Sequence, residues 1–533
     1  MKYTILFAVL SLALAVSSCD QQVSISRLDE AGIIPLPSSI KNSTGDFVVD
    51  AEAAIQLKGS GDELTNVGDY LASKIRPSSG FEIPVSKESG NIILELKSGE
   101  ASEGYELIIT KDDVTVSSTS AAGLFYGVQT LIQVFPFEIE NQSKVVTEWI
   151  LPAGTIIDEP EFAYRAAMLD VARHFYPVKN VKQYIDELAV LKFNYLHLHL
   201  SDDQGWRIEI KSWPKLTEIG STTEVGGTEG GFFTQDEYKE IVAYAAKNFI
   251  TIIPEIDMPG HTNAALSSYG ELNPGVNLPD GDFSTMKEGK IDFDILDGNP
   301  VAAEIYTGIE VGFSTLATNK ELTYQFVDDV IREISAITPG PYFHIGGDES
   351  HVTEKDDYIY FVERAQGIAS KYNKISIGWD EIANTKLLPG SIAQFWAVEE
   401  NAKLAKEQGN QIIMSPAKKS YLDMQYDSTT RVGLHWAAFI ELDDAYNWDP
   451  SSYVEGINKT DILGVEAPIW TETLDKWEDV QYLVFPRISA LAEVAWSTTG
   501  NRNWESYQKR VAQMGKRWEI KGIQFYKSPK VEW

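Results

Sequence analysis

Phe343-His344-Ile345-Gly346-Gly347-Asp348-Glu349 reads as an apolar strand that runs out into two glycines and two adjacent carboxylates. Two like charges held side by side resist ionising together, so one can keep a proton near neutral pH and serve as an acid. The glycines remove bulk where a ligand would approach. A surface Asp-Glu pair after a turn is the plain alternative, and the rest of the chain weighs against it. Beside 342–345, candidate strands fall at 166–171, 195–200, 250–256, 375–378, 392–395, 411–414 and 462–465, with helical spacing at 181–191, 235–247, 322–337, 358–371 and 480–492. Strands alternating with helical crossovers predict an α/β fold, a (β/α)8 TIM barrel rather than an open doubly wound sheet. No glycine-rich phosphate loop follows the first strand, which argues against a dinucleotide fold.

Chemistry on such a barrel sits at the C-terminal ends of the strands. In chain order those ends carry Asp170 and Arg173, Asp202-Asp203, Glu255 with Asp257 and His261, Asp348-Glu349, Trp379-Asp380-Glu381, Trp396, Tyr421 with Asp423, and Trp470 with Glu472. Any one of these tryptophans fits a core position. Three of them around carboxylates predict a sugar pocket, since aromatic faces cover the C–H face of a pyranose while carboxylates and arginine take its hydroxyls.

The chain has 533 residues, 45 Lys and Arg against 78 Asp and Glu, a net charge of -33 and 43% hydrophobic residues. That length predicts more than one unit. No basic stripe interleaved with aromatics is present, so nucleic acid is excluded as a partner. Met1-Lys2 is followed by the apolar run 5–16 and by Val16-Ser17-Ser18-Cys19, the pattern of an export signal too short to span a bilayer. Cys19 is the only cysteine and so has no internal disulfide partner. Its position resembles the lipobox of bacterial lipoproteins, which implies lipidation at Cys19, a membrane anchor through acyl chains, and an exported periplasmic or cell-surface bacterial protein.

The expected organisation is a lipoprotein signal at 1–19, a small α+β domain at 20–158, the barrel at 159–500, and a helix and tail packed on it at 501–533. In the second unit, 105–109 and 114–116 alternate as strands, 121–134 has helical spacing, and Phe135-Pro136 stops it. The stretch from Ser267 to about Lys320 is too long for a plain connection and is expected to shape one side of the site.

Several blocks resemble the signatures of family 20 glycoside hydrolases, the β-N-acetylhexosaminidases: Leu169-Asp170-Val171-Ala172-Arg173-His174-Phe175, His197 to Arg207, Pro254 to His261, and His344 to Glu349. Tyr306-Thr307-Gly308, Gly378-Trp379-Asp380-Glu381, Tyr421-Leu422-Asp423 and Trp470-Thr471-Glu472 extend the likeness, in order, over roughly residues 25–500. The resemblance implies an exo-acting retaining hydrolase of terminal β-linked N-acetylhexosamine in which the substrate's acetamido oxygen is the nucleophile. It implies Glu349 as acid and base, Asp348 as the group holding the acetamido N–H, and Asp202 with His261 as support. Arg173 and Glu472 would grip the sugar hydroxyls. Tyr421 and Asp423 would hold the acetamido group, with its methyl among Trp379, Trp396 and Trp470 or near Trp436. As acid, Glu349 would need its pKa raised toward 6–7 from about 4.3. No cofactor is expected.

A metal reading comes from His197-x-His199, whose alternation puts both imidazoles on one strand face. A metal site needs further ligands from other strands, and no second close histidine pair occurs among the seven histidines. Hydrogen-bonded barrel histidines are expected instead. The alternative function is a surface glycan-binding lipoprotein on the same fold without turnover.

Overall fold

The computed structural model describes residues 27–276, 278 and 301–533. The export signal and Cys19 lie outside the described residues, as does most of the central part of the 267–320 stretch. The first unit is a seven-stranded mixed sheet with strands β1 (Ser39–Asn42), β3 (Ile55–Lys58), β4 (Val85–Ser86), β5 (Ile92–Leu96), β6 (Tyr105–Ile109), β7 (Val114–Ser118) and β9 (Gly154–Asp158), in the order β1-β9-β6-β7-β5-β3-β4. A two-stranded sheet, β2 (Phe47–Val48) with β8 (Ile150–Leu151), lies beside it. Helices Asp62–Ser79 and Ala121–Val134 pack on each other and on the large sheet. The second begins where expected because the Ser120 side chain accepts the Gly123 N–H at 3.0 Å. The first was not anticipated, although Leu64, Val67, Leu71, Ala72 and Ile75 form a buried helical stripe.

The second unit is a closed parallel barrel of β10 (Tyr164–Asp170), β11 (Tyr195–His199), β12 (Thr251–Glu255), β13 (Tyr342–His344), β14 (Ile375–Trp379), β15 (Ile392–Phe395), β16 (Gln411–Met414) and β17 (Ile462–Ile469). Seven of the eight strands match expectation to within about two residues. The last runs on past Val465 to Ile469, and the charged Glu466 this adds is paired inside the barrel with His197 at 2.8 Å. The helix expected at 480–492 is instead two, Trp477–Val484 and Arg487–Trp496. Pro486 between them has no N–H to carry a helix through.

Asp158 joins the two units. Its buried carboxylate accepts from Tyr105 Oη (2.6 Å), Ser38 N (3.0 Å), Trp496 Nε1 (3.0 Å) and Lys192 Nζ (3.1 Å). The terminal helix Trp504–Lys521 lies on the barrel through Arg510 and Glu493, and also reaches the first domain through Arg517 and Glu140 at 3.0 Å. The described end of the long stretch folds beside the strand-end loops: Asn263 Nδ2 donates to Glu304 O (2.9 Å) and Gln204 Nε2 to Gly308 O (2.9 Å). No described helix is long and apolar enough to cross a membrane.

Candidate active site

After β13 the chain turns through Gly346 (φ 66°) and Gly347 (φ 102°), and Glu349 itself takes φ 43°. That is an uncommon conformation for a residue with a side chain. Two bonds hold it: Gly347 N–H donates to Asp257 Oδ1 at 3.0 Å, and Tyr358 Oη donates to Gly347 O at 2.6 Å. The turn presents Asp348 nearly buried, with 11% of its side chain exposed, and Glu349 more open at 27%. His261 lies against both. Its Nε2 is 3.6 Å from Asp348 Oδ2 and 3.6 Å from Glu349 Oε2, while Nδ1 is 3.1 Å from Asp202 Oδ1.

The charges are distributed differently from the sequence expectation. Burial pushes Asp348 well above the ordinary carboxylate range, aided by Asp257 and Glu349. Burial also acts to raise Glu349, but His261 outweighs it and holds that carboxyl below its ordinary value. The pocket thus raises Asp348 and lowers Glu349, the reverse of the raised Glu349 expected of a free-standing acid. His261 is lifted well above an ordinary histidine: burial disfavours its charge, but Asp202, Asp348 and Asp257 surround it. Asp202 is held low against burial by Arg173, His261 and His199.

Arg173 is almost fully buried, with Nη2 2.8 Å from Asp202 Oδ2 and its guanidinium 4.8 Å from the Trp470 ring centroid. Asp170 fixes the turn that carries it, accepting the N–H groups of Ala172 and Arg173 and, from the end of the neighbouring strand β17, the Thr471 N–H and hydroxyl. The aromatic wall is continuous. Trp379 and Trp470 lie 5.6 Å apart, Tyr421 is 6.3 Å from Trp470 and 6.1 Å from Trp436, and Trp436 is 6.0 Å from Trp396. Trp379 is sealed, while Trp436 is 57% exposed and stands at the rim rather than in the wall. Asp423 is buried, and burial with Glu472 nearby pushes its carboxyl well above the ordinary range.

Four residues that shape the site received no role from the sequence. Asp257 both ties down Gly347 and raises Asp348. Glu381 Oε2 accepts the Trp396 indole N–H at 3.1 Å, and Asp380 Oδ2 accepts the backbone N–H groups of Trp396, Ala397 and Val398. Glu255, with His197 and His199, lies deeper in the barrel. The signal was present in each case, a carboxylate at a strand end, but contact across strands is invisible in one dimension. Both histidines point inward, as alternation predicts, and their rings are engaged by Glu466, Glu255 and Asp202.

Comparison with known proteins agrees with this geometry. The description "Glycosyl hydrolase family 20, catalytic domain" matches residues 162–499, and domain 2 of the same family matches 30–159. The chain is 37% identical to the β-N-acetylhexosaminidase of Cellulomonas fimi over 515 residues, covering 95% of this chain and 98% of that protein. The GH20 β-N-acetylhexosaminidase structure from Streptomyces coelicolor A3(2) superposes with a TM-score of 0.88 at 42% identity, covering 95% and 99%. The Streptomyces plicatus N-acetyl-β-hexosaminidase in complex with Thio-NAglucal does so with a TM-score of 0.89 at 43% identity, covering 96% and 100%. With both of its domains matched and its strand-end carboxylates gathered in one pocket, this chain belongs to glycosyl hydrolase family 20.

Proposed function

We propose that the chain is an exo-acting β-N-acetylhexosaminidase that removes terminal, non-reducing β-linked N-acetylglucosamine or N-acetylgalactosamine from a glycan, with retention at C1. The relatives of matching length are β-N-acetylhexosaminidases, which supports the activity. The observation that carries the mechanism is that Asp348 and Glu349 flank one nitrogen, His261 Nε2, at 3.6 Å each. Two-carboxylate retaining enzymes place their groups about 5–5.5 Å apart across the anomeric carbon. Two carboxylates on one wall suit a different division of labour, in which the substrate's acetamido oxygen attacks C1 and closes an oxazolinium-like ring. Glu349, the more open carboxyl, protonates the leaving oxygen and then activates water. Asp348 accepts the acetamido N–H and stabilises the positive charge that grows there. An intramolecular nucleophile gains from proximity.

Arg173 and Glu472 form the side that takes the ring hydroxyls. Tyr421 and Asp423 hold the acetamido group, and Trp379, Trp396 and Trp470 surround its methyl. Asp202 supports the acid through His261. A glycan-binding role without turnover is not favoured, since a binder has no need of an acid beside a partner carboxylate. Chromogenic β-N-acetylglucosaminide and β-N-acetylgalactosaminide should be hydrolysed and the matching β-glucoside hardly at all. Brisk glucoside turnover, or a trapped glycosyl ester on a carboxylate, would overturn the mechanism.

The finer reading of location rests on the leader. The basic start, the apolar run and the lone Cys19 support export and acyl anchoring of a periplasmic or cell-surface bacterial lipoprotein. In cells fed a labelled fatty acid, the native chain should take up label and partition with membranes, and Cys19→Ala should do neither; label on the Cys19→Ala chain would count against it.

A further inference from the structure

Below the pocket, buried carboxylates and imidazoles alternate along the barrel interior. Glu466 Oε1 lies 2.8 Å from His197 Nδ1, and His197 Nε2 lies 2.9 Å from Glu255 Oε2. Glu255 Oε2 lies 2.5 Å from His199 Nδ1, and His199 Nε2 lies 2.7 Å from Asp202 Oδ2. Asp202 Oδ1 then meets His261, whose far nitrogen faces Asp348 and Glu349. At the lower end Tyr164 Oη donates to Glu466 Oε2 at 2.5 Å. From Tyr164 to His261 every member is at most 1% exposed.

His199 is hydrogen-bonded to a carboxylate at both nitrogens, while His197 and His261 are bonded at Nδ1 and stand with Nε2 2.9 Å and 3.6 Å from further carboxylate oxygens. A neutral ring would aim a lone pair at one anion, whereas a ring protonated at both nitrogens satisfies both. Glu255 is the hub. Besides His197 and His199 it has His344 Nδ1 at 2.9 Å and Trp379 Nε1 at 3.0 Å from Oε1. His261 is faced by Asp202, by Asp203 at 3.9 Å, and by Asp348 and Glu349, with Asp257 also close.

We propose that the row Glu466, His197, Glu255, His199 and Asp202 is a positioning array that keeps His261 protonated on both ring nitrogens, so that His261 trades the pair's proton from Asp348 to Glu349 when substrate docks. This rests on the proposed roles of Asp348 and Glu349. The substrate's amide N–H favours an ionised Asp348. The proton on His261 Nε2 passes to Glu349 Oε2 first, and the lone pair this frees on Nε2 then takes the Asp348 proton as that O–H bond breaks. His261 is a cation before and after the exchange, and no net charge moves in the buried row. The empty pocket is thereby converted from one with its proton on Asp348 to one with its acid armed.

The test uses the leaving group as the readout, because a 2,4-dinitrophenyl aglycone departs without an acid and an alkyl aglycone does not. Glu349→Gln should lose at least tenfold more kcat on the alkyl glycoside than on the dinitrophenyl one; without that split, the reading of Glu349 itself falls. If the split is present there, Glu255→Gln should show a smaller split of the same sense, about threefold, with KM within about twofold. Equal losses on both aglycones, or no loss, would reduce the row to scaffolding and overturn the inference alone. Should Glu255→Gln not fold, ring-15N-histidine NMR of the unaltered chain decides. Two protonated nitrogens on His261, with and without a thiazoline inhibitor, support the array, and a neutral tautomer in either state refutes it.

Discussion

Asp257 closes so tightly on Gly346 that a β-carbon there would lie 1.7 Å from its Oδ1. The same carboxyl accepts the Gly347 N–H and, after burial, is the strongest influence raising Asp348. One side chain thus sets both the path of the catalytic turn and its electrostatics, on strand ends ninety residues apart in sequence. Gly346→Ala should therefore fail twice. The left-handed φ costs about 1–2 kcal/mol for a residue with a β-carbon, and the clash moves Asp257 or the turn. We expect a thermal midpoint lowered by several degrees and kcat lowered at least a hundredfold in whatever protein folds. Wild-type kinetics in this variant would show that the turn tolerates displacement.

General acid–base catalysis contributes about 10²–10⁴ in rate. Glu349→Gln should lose kcat in that range on an aryl substrate that needs some protonation, with KM little changed. Asp348→Asn should lose a comparable factor, and its loss should disappear in comparison with substrates that lack the 2-acetamido group, which are poor for both enzymes. Steady-state kinetics on the two substrate classes checks this, and an unimpaired Asp348→Asn enzyme would remove Asp348 from the mechanism.

Glu381 holds the Trp396 indole at 3.1 Å, and burial with Asp380 and Asp348 nearby raises its carboxyl well above the ordinary range. An amide can accept the same bond. Glu381→Gln should be close to wild type, whereas Glu381→Ala frees the indole and should raise KM for N-acetyl substrates about tenfold, the loss of one buried hydrogen bond to a wall residue. If both variants behave alike, the bond has no part in shaping the pocket.

Stability should decline with rising pH. Burial disfavours a charged His197, but Glu466 and Glu255 lift it to about 9. Its unfolded value is about 6.5. The stabilisation is complete below about 6.5 and is lost as pH rises through the folded value, a difference of about 3 kcal/mol. Asp203, raised to about 6, and Asp257, raised to about 7, act in the same direction at lower pH, since each binds its proton more tightly folded than unfolded. Thermal midpoints should fall between pH 6.5 and 9, and less steeply in Glu466→Gln. A midpoint that climbs over that range would contradict the assignment.

Much of this protein is legible in one dimension. Strand periodicity, helical crossovers and polar residues recurring at one end of each strand are local patterns, and they specify a barrel with its chemistry at one mouth. The blocks around Asp348-Glu349, Arg173, Asp202 and Trp470 are short enough to read directly. Local reading ends the last strand at Val465, short of Ile469, and draws one helix through Pro486.

The sequence by itself determined the architecture, the residue types in the pocket and the adjacency of the two acids, because each follows from periodicity or from neighbouring positions. Only the tertiary structure decided which acid keeps the proton. That choice depends on Asp257 and His261, which reach Asp348 and Glu349 from another strand, and on burial strong enough that a few ångströms between charges outweigh the intrinsic acidity of the carboxyl groups.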